Sequence, residues 1–243
     1  MATALAADPT NAALHRMAAR AHHVADEPGQ AAEAARRSLG LEITSEGFHL
    51  LGASQRAIGD DLGSQDSYRR AMSLAPEAPE LRVGLALTLV TPVMDADPPP
   101  PDRAERLAEA RRLCEEASAL GPDRATVPYT RGVVEVAAGD LPGAARELER
   151  ALELDPELAA AHRVLGTVRA QQGMARLASR HLAAAGRLDP GDPHALSLLR
   201  RLVRPMTRRA RRRGRADTGR VVPAAQRIIE ADLRLRESPP TEW

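Results

Sequence analysis

Lysine is absent from this sequence, cysteine occurs once and aromatic residues are rare. All 34 basic side chains are arginine, and aromatic residues make up 2% of the 243 positions. The single cysteine, Cys114, excludes a disulfide within the chain and is typical of a reducing compartment. Alanine and leucine supply the apolar content, and the alternation typical of strands is missing, so we expect an all-α fold.

Long apolar runs and targeting sequences are also missing. The longest apolar stretch, from Val83 to Val93, is about half the length that spans a bilayer. The first residues lack the basic start and the apolar core of a secretory signal. We therefore expect a cytoplasmic protein, with peripheral attachment to the inner face of the membrane as the alternative. The composition, rich in alanine and arginine, suggests a GC-rich bacterial genome.

Sequence motifs of catalytic, cofactor or metal sites do not occur. There is no glycine-rich nucleotide loop, zinc-protease helix or serine-nucleophile elbow. His22 and His23 are adjacent, so on a helix their side chains diverge by about 100° and do not chelate as a pair. The acidic pair Asp60 and Asp61 is more simply explained as a helix cap. We therefore predict no enzymatic activity, no catalytic residue, no cofactor and no metal site.

The sequence does contain a self-repeat of 34 residues. The triplets Leu154-Asp155-Pro156 and Leu188-Asp189-Pro190 are separated by this period. The same spacing relates several small residues: Gly139 to Gly173, Ala144 to Ala178 and Ala151 to Ala185. A fixed period of this length indicates stacked supersecondary units instead of one globular core.

Residues 125–158 show most plainly how one repeat should fold. We predict a first helix over 126–138 and a second helix over 142–154. Between them, Gly139 suits the left-handed end of the first helix, and Asp140 is a good cap for the second. Asp155-Pro156 ends the second helix, because proline cannot continue it. Each repeat is therefore expected to be an antiparallel pair of helices.

This pattern resembles the tetratricopeptide repeat. That family combines a small residue in the first helix, glycine at the turn, two alanines in the second helix and a closing proline. Residues 159–192 match it at Leu165, Gly166, Gly173, Ala178, Leu182, Ala185 and Pro190. The resemblance implies an all-α solenoid of helix-turn-helix repeats, wound as a right-handed superhelix with a concave groove. Small residues such as Gly132 and Gly166 would let paired helices approach closely.

The resemblance divides the chain into a repeat array, 1–203, and a carboxyl-terminal region. Repeats are assigned to 12–44, 45–78, 79–124, 125–158 and 159–192, with a cap helix at 193–203. The third repeat contains an insertion at 91–102 with four consecutive prolines, which we interpret as a spacer or, alternatively, as a ligand for an aromatic-lined groove. An Arg-rich linker, an amphipathic helix and a tail follow at 204–220, 221–236 and 237–243.

The resemblance also implies which residues line the groove, because the family uses the first helix of each repeat. These are Arg16, Arg20, His23, His49, Arg56, Val83, Leu87, Tyr129, Val133, Val136, Arg163, Thr167 and Gln171. The predicted function is a non-catalytic adaptor or scaffold that holds a peptide or helix of another protein there. The carboxylate clamp of chaperone-binding members is disfavoured, because it needs lysine.

Charge is distributed unevenly along the chain. Residues 1–199 carry 21 Arg and 28 acidic residues, a net charge of −7, whereas residues 200–243 carry 13 Arg and 5 acidic residues, or +8. The densest cluster consists of Arg208, Arg209, Arg211, Arg212, Arg213 and Arg215. It is either a solvated linker or a binding site for phosphate groups. The alternative function is therefore a tether to anionic membrane or nucleic acid, and the helix at 221–236 is also a candidate for homo-oligomer contacts.

Overall fold

The computed structural model describes residues 7–95, 97–121, 124–192 and 195–201. These residues form α-helices and no strand, which confirms the all-α prediction. The helices are α1 Ala12–Val24, α2 Pro28–Leu41, α3 Ser45–Ala57, α4 Asp61–Leu74, α5 Pro79–Asp95, α6 Arg103–Leu120, α7 Thr126–Ala138, α8 Leu141–Leu154, α9 Ala159–Gln171 and α10 Ala175–Leu188. A further helical stretch covers 195–201.

The chain consists of two compact units, one ending at Thr130 and the other beginning at Arg131. In the first unit, α1 packs against α2, α3 against α4 and α5 against α6. Each first helix also contacts the first helix of the next repeat, so that α1 touches α3 and α3 touches α5. In the second unit, α9 packs against both α8 and α10. Within each unit, consecutive hairpins therefore stack as in an α-solenoid of tetratricopeptide type.

The turns within the repeats follow the predicted residue roles. Gly139 has φ 87° and Gly173 has φ 76°, the left-handed conformation in which a side chain is disfavoured. The Asp140 side chain accepts a hydrogen bond of 3.0 Å from the amide of Gly143 and so caps α8. Helix α7 has the predicted bounds, and α8 begins one residue before its predicted start.

Glycine within the first helix allows close helix pairing, as expected. A Cβ atom added to Gly132 would lie 2.6 Å from Leu148 Cγ and 3.3 Å from the carbonyl oxygen of Ala144. One repeat later, a Cβ atom added to Gly166 would lie 2.7 Å from Leu182 Cγ. The small residue and the buried leucine that fills the space beside it therefore recur together.

The third hairpin is longer than its neighbours, and its helical part extends further than predicted. Helix α5 continues to Asp95 with Pro92 inside it, so the first part of the predicted insertion is helical. Val90 and Val93, on either side of Pro92, are both buried. Burial of these side chains offsets the hydrogen bond that proline cannot donate. Most of the proline run that follows is exposed.

The predicted cap of the array is helical where the structure describes it. In the stretch 195–201, Ala195, Leu196 and Leu199 are buried and cover the last hairpin. The linker at 204–220, the amphipathic helix at 221–236 and the tail at 237–243 lie outside the described residues, so these assignments stay predictions.

Candidate functional site

The two predicted arginines of α1 lie beside carboxylates that the sequence analysis did not anticipate. Arg16 Nη1 is 2.7 Å from Glu42 Oε2, and Arg16 Nε is 3.5 Å from Glu46 Oε2. Arg20 also pairs with Glu46. This part of the predicted groove is therefore close to neutral instead of basic. Both pairs, Arg16 with Glu42 and Arg20 with Glu46, are 26 residues apart in sequence. This repeated spacing of opposite charges is the sequence feature from which the pairing could have been predicted.

Helix α3 places His49 and Arg56 next to the ring of Tyr68 from α4. The His49 and Tyr68 ring centroids are 5.9 Å apart, and the Arg56 guanidinium is near enough to the Tyr68 side chain to interact with it electrostatically. Burial lowers the pKa of His49, which favours its neutral form. Burial also raises the pKa of the Tyr68 phenol, while Arg56 acts in the opposite direction. Tyr68 was absent from the predicted groove because it belongs to a second helix.

The apolar residues predicted to line the groove belong partly to the core. Val83 is 9% exposed and packs with Ala117 and Val127, and Leu87 packs against this cluster. Tyr129 is partly exposed. In the second unit Val133 is buried, whereas Val136 is partly exposed. Of these residues, Leu87, Tyr129 and Val136 keep surface that a partner can contact.

In the second unit, two predicted residues line a pocket. Thr167 and Gln171 of α9 border a cavity of 460 Å³, together with Ala170, Leu182, Leu198 and Arg201. Leu198 and Arg201 come from the helical stretch 195–201, which the groove prediction did not include. The other predicted residue of α9, Arg163, forms an ion pair of 3.0 Å with Asp192. The pocket combines an apolar floor with polar side chains at its border.

Two histidines that the motif search did not single out form a hydrogen-bonded pair between α9 and α10. His162 Nδ1 lies 3.0 Å from His181 Nδ1, and His162 Nε2 lies 3.1 Å from the carbonyl oxygen of Pro156. Because that carbonyl only accepts, His162 carries its proton on Nε2, and His181 donates from Nδ1. Burial, and then the neighbouring His162, lower the pKa of His181.

The geometry of this pair suits a hydrogen bond better than chelation. The ring centroids are 5.3 Å apart, about the nitrogen separation plus one ring radius on each side, so the rings point at each other end-on. A metal ion would need both lone pairs to converge on a third point. Among the residues that the structure describes, no three His, Cys, Asp or Glu side chains are grouped to hold a metal ion.

The carboxylates of Asp60 and Glu116 make structural contacts. Asp60 accepts hydrogen bonds from the amide of Gly63 at 3.0 Å and from the Gln55 side chain at 2.8 Å. This confirms that Asp60 caps α4. Glu116 pairs with Arg82 at 3.0 Å, and Cys114 is buried in the core. The predicted polyanion site at Arg208, Arg209, Arg211, Arg212, Arg213 and Arg215 lies outside the described residues.

No helix in the described ranges is long and apolar enough to cross a membrane.

Comparison with known proteins agrees with the repeat geometry. A tetratricopeptide repeat family model matches residues 135–202. A tetratricopeptide protein of Thermus thermophilus shares the fold with TM-score 0.71 and 18% identity, over 81% of this chain and 100% of that chain. PilW, a type IV pilus biogenesis factor, has TM-score 0.62 and 17% identity, over 95% of this chain and 94% of that chain. PilF of Pseudomonas aeruginosa has TM-score 0.57 and 14% identity, over 95% of this chain and 93% of that chain.

No curated protein matches the chain in sequence. At these identities the solved structures show the fold alone, and the family model matches one part of the sequence. The turn glycines Gly139 and Gly173 are 34 residues apart, and so are Gly132 and Gly166, which each contact a buried leucine; this is the period expected of that fold. Residues 135–202 thus match the tetratricopeptide repeat family, and the described helices have the tetratricopeptide repeat fold.

Proposed function

We propose that this protein is a non-catalytic adaptor that binds a segment of another protein on the first-helix face of its repeats. The tetratricopeptide fold is a protein-interaction scaffold, which supports the general class. The predicted partner-binding residues lie on first helices, and several of them, including His49, Leu87 and Gln171, remain at least partly exposed.

The pocket beside α9 is the observation that carries this proposal. Its volume of 460 Å³ is within the range of protein ligand sites, about 300–1,000 Å³. Leu182 and Leu198 provide an apolar floor, and Thr167, Gln171 and Arg201 stand at the border. Such a pocket accepts an apolar anchor side chain of a bound segment, while the border groups orient its backbone.

The test is a selection from a library of random peptides against the full chain. Enriched peptides are synthesised, and their affinities are measured for the wild type and for Gln171→Trp, which fills the pocket with a bulky ring. We expect Gln171→Trp to weaken binding about tenfold or more, as loss of an anchor site does. The matched control is Arg180→Trp, which adds the same ring at an exposed position of α10.

Two outcomes contradict the proposal. In the first, no peptide is enriched by the folded full chain. In the second, enriched peptides bind Gln171→Trp as tightly as they bind the wild type and Arg180→Trp. Circular dichroism of each variant verifies that the helical fold is kept.

A further inference from the structure

The connection between α5 and α6 contains the run of four consecutive prolines, 98–101, which the adaptor function does not use. Helix α5 ends at Asp95, and α6 begins at Arg103. Three of the four proline side chains are exposed, and the fourth, Pro100, is half-buried. The run therefore presents most of its apolar rings to solvent, where another molecule can contact them.

A spacer role does not account for this run. Two packed antiparallel helices can be joined by a loop of about 2–5 residues. Three other hairpins turn at a left-handed glycine, namely Gly59, Gly139 and Gly173. The connection between α5 and α6 is longer and extends from 96 to 102. Joining the two helices therefore requires neither its length nor its four proline rings.

Anchoring contacts lie on both sides of the run. Before it, Val93 of α5 is buried in the core. After it, the Arg103 amide donates a hydrogen bond of 3.0 Å to the carbonyl oxygen of Pro100, and Asp102 Oδ2 lies 2.8 Å from Arg106 Nε. Each proline ring also fixes its own φ angle. A segment with so little conformational freedom loses little entropy when a partner binds it.

Consecutive prolines favour one conformation and one kind of binding site. They adopt the polyproline II helix, which has three residues per turn and no internal hydrogen bonds. Domains that recognise this helix dock it in a groove lined with aromatic side chains, as SH3, WW and EVH1 domains do. An exposed proline run therefore calls for aromatic rings on its partner.

The chain itself has few aromatic rings with which to bind such a run. The whole sequence contains one Trp, two Tyr and one Phe. Tyr68 is 2% exposed, and the Arg70 guanidinium lies over the Phe48 ring, 5.7 Å from its centroid. This shortage of available rings favours a partner of different sequence over a second copy of the chain.

We propose that the proline run 98–101 is a docking segment for another protein's domain with an aromatic-lined groove. This surface goes beyond the proposed adaptor site, because it lies in a connection between helices and not on the first-helix face. The chain then has two binding surfaces of different chemistry. One accepts a segment of a partner, and the other is itself the segment that a partner accepts.

The test measures binding of purified SH3, WW and EVH1 domains to the full chain by titration calorimetry. The wild type is compared with the double variant Pro99→Ser and Pro101→Ser, which removes two exposed rings of the run. The matched control is the double variant Pro76→Ser and Pro156→Ser. It removes two exposed prolines that stand alone after α4 and α8.

We expect at least one domain to bind the wild type and the control alike, and the variant of the run about tenfold or more weakly, as for loss of an anchor residue. Lack of binding by every domain overturns the inference. Equal binding to the variant of the run, or equal loss in the control, overturns it as well.

A peptide competition keeps the test valid if the variant of the run does not fold. A synthetic peptide of residues 97–103 should displace the domain from the wild-type chain, and the same peptide with serine at 99 and 101 should not. Equal displacement by both peptides contradicts the inference. Gln171→Trp should leave domain binding unchanged, so this inference and the adaptor function can each fail alone. Loss of domain binding in Gln171→Trp would place the domain at the adaptor site and overturn the inference.

Discussion

At the scale of single residues, glycine decides how closely the helices of one repeat approach. A Cβ at Gly166 would lie 2.7 Å from Leu182 Cγ and 3.2 Å from the carbonyl oxygen of Ala178. Leu182 is fully buried, and the Ala178 oxygen belongs to the backbone, so neither group can move away to make room for a methyl group. At Gly40, which is also helical, an added Cβ meets nothing within 4 Å. These two glycines therefore form a matched pair.

We predict that Gly166→Ala lowers the free energy of unfolding by about 1–3 kcal/mol relative to Gly40→Ala. Alanine improves helix propensity by about 1 kcal/mol in a helix interior, where Gly166 lies, and by less at Gly40 near the end of α2, so a net loss at Gly166 reports the steric contact. Urea unfolding of both variants measures it. Equal midpoints would show that the contact with Leu182 is not close.

Burial of His181 should make stability depend on pH. The pKa of His181 is lowered in the folded chain by burial and by His162, so unfolding favours proton uptake. Its contribution is present above the unfolded pKa of about 6.5 and is lost as the pH falls through the folded value. His49, whose pKa is also lowered by burial, acts in the same direction.

We predict that the urea midpoint falls as the pH is lowered below about 6.5, and that the fall is smaller in His181→Gln. His49→Gln should reduce the fall separately, because its histidine belongs to the other unit. An unchanged pH dependence in His181→Gln would contradict the role given to the pair.

At the scale of elements, the third hairpin shows burial overriding a helix breaker. Helix α5 passes through Pro92, and Val93 directly after it is 6% exposed while Met94 is 49% exposed. We predict that Val93→Ala lowers the free energy of unfolding by about 1–3 kcal/mol, whereas Met94→Ala changes it by less than about 0.5 kcal/mol. Thermal and urea unfolding compare the two. Equal effects would mean that α5 does not pack beyond Pro92.

At the scale of the whole molecule, the acidic repeat region and the basic carboxyl-terminal region suggest separate partners. The adaptor function uses the first-helix face, whereas the tether hypothesis uses the cluster from Arg208 to Arg215. A basic side chain near an anionic bilayer contributes about 1 kcal/mol, and a second apolar signal makes attachment stable. The predicted helix at 221–236 would supply that signal.

Under the tether hypothesis, the full chain should co-sediment with acidic vesicles at low salt and not with neutral vesicles. Replacing the six clustered arginines with glutamine should abolish this binding, because the attraction is electrostatic. Failure to bind acidic vesicles at low salt would exclude the membrane tether. Binding of the same chain to DNA, lost in the same variant, would favour nucleic acid instead.

The sequence by itself determined the local structure and the repeat. Left-handed glycines, aspartate caps and closing prolines act over a few residues, so Gly139, Asp140 and the bounds of α7 were readable without a fold. The pairing of Gly132 and Gly166 with buried leucines followed from the same period. The assignment of groove residues to first helices came from the family resemblance, and it stays a prediction.

Tertiary structure decided which of those residues are available and what surrounds them. Glu42 and Glu46 neutralise the arginines of α1, and Val83 belongs to the core, because side chains from different helices meet there. The Tyr68 ring fits into an opening made by two glycines on separate helices. Such contacts join residues far apart in sequence, and their distances depend on how helices pack. Local periodicity carries no information about that packing.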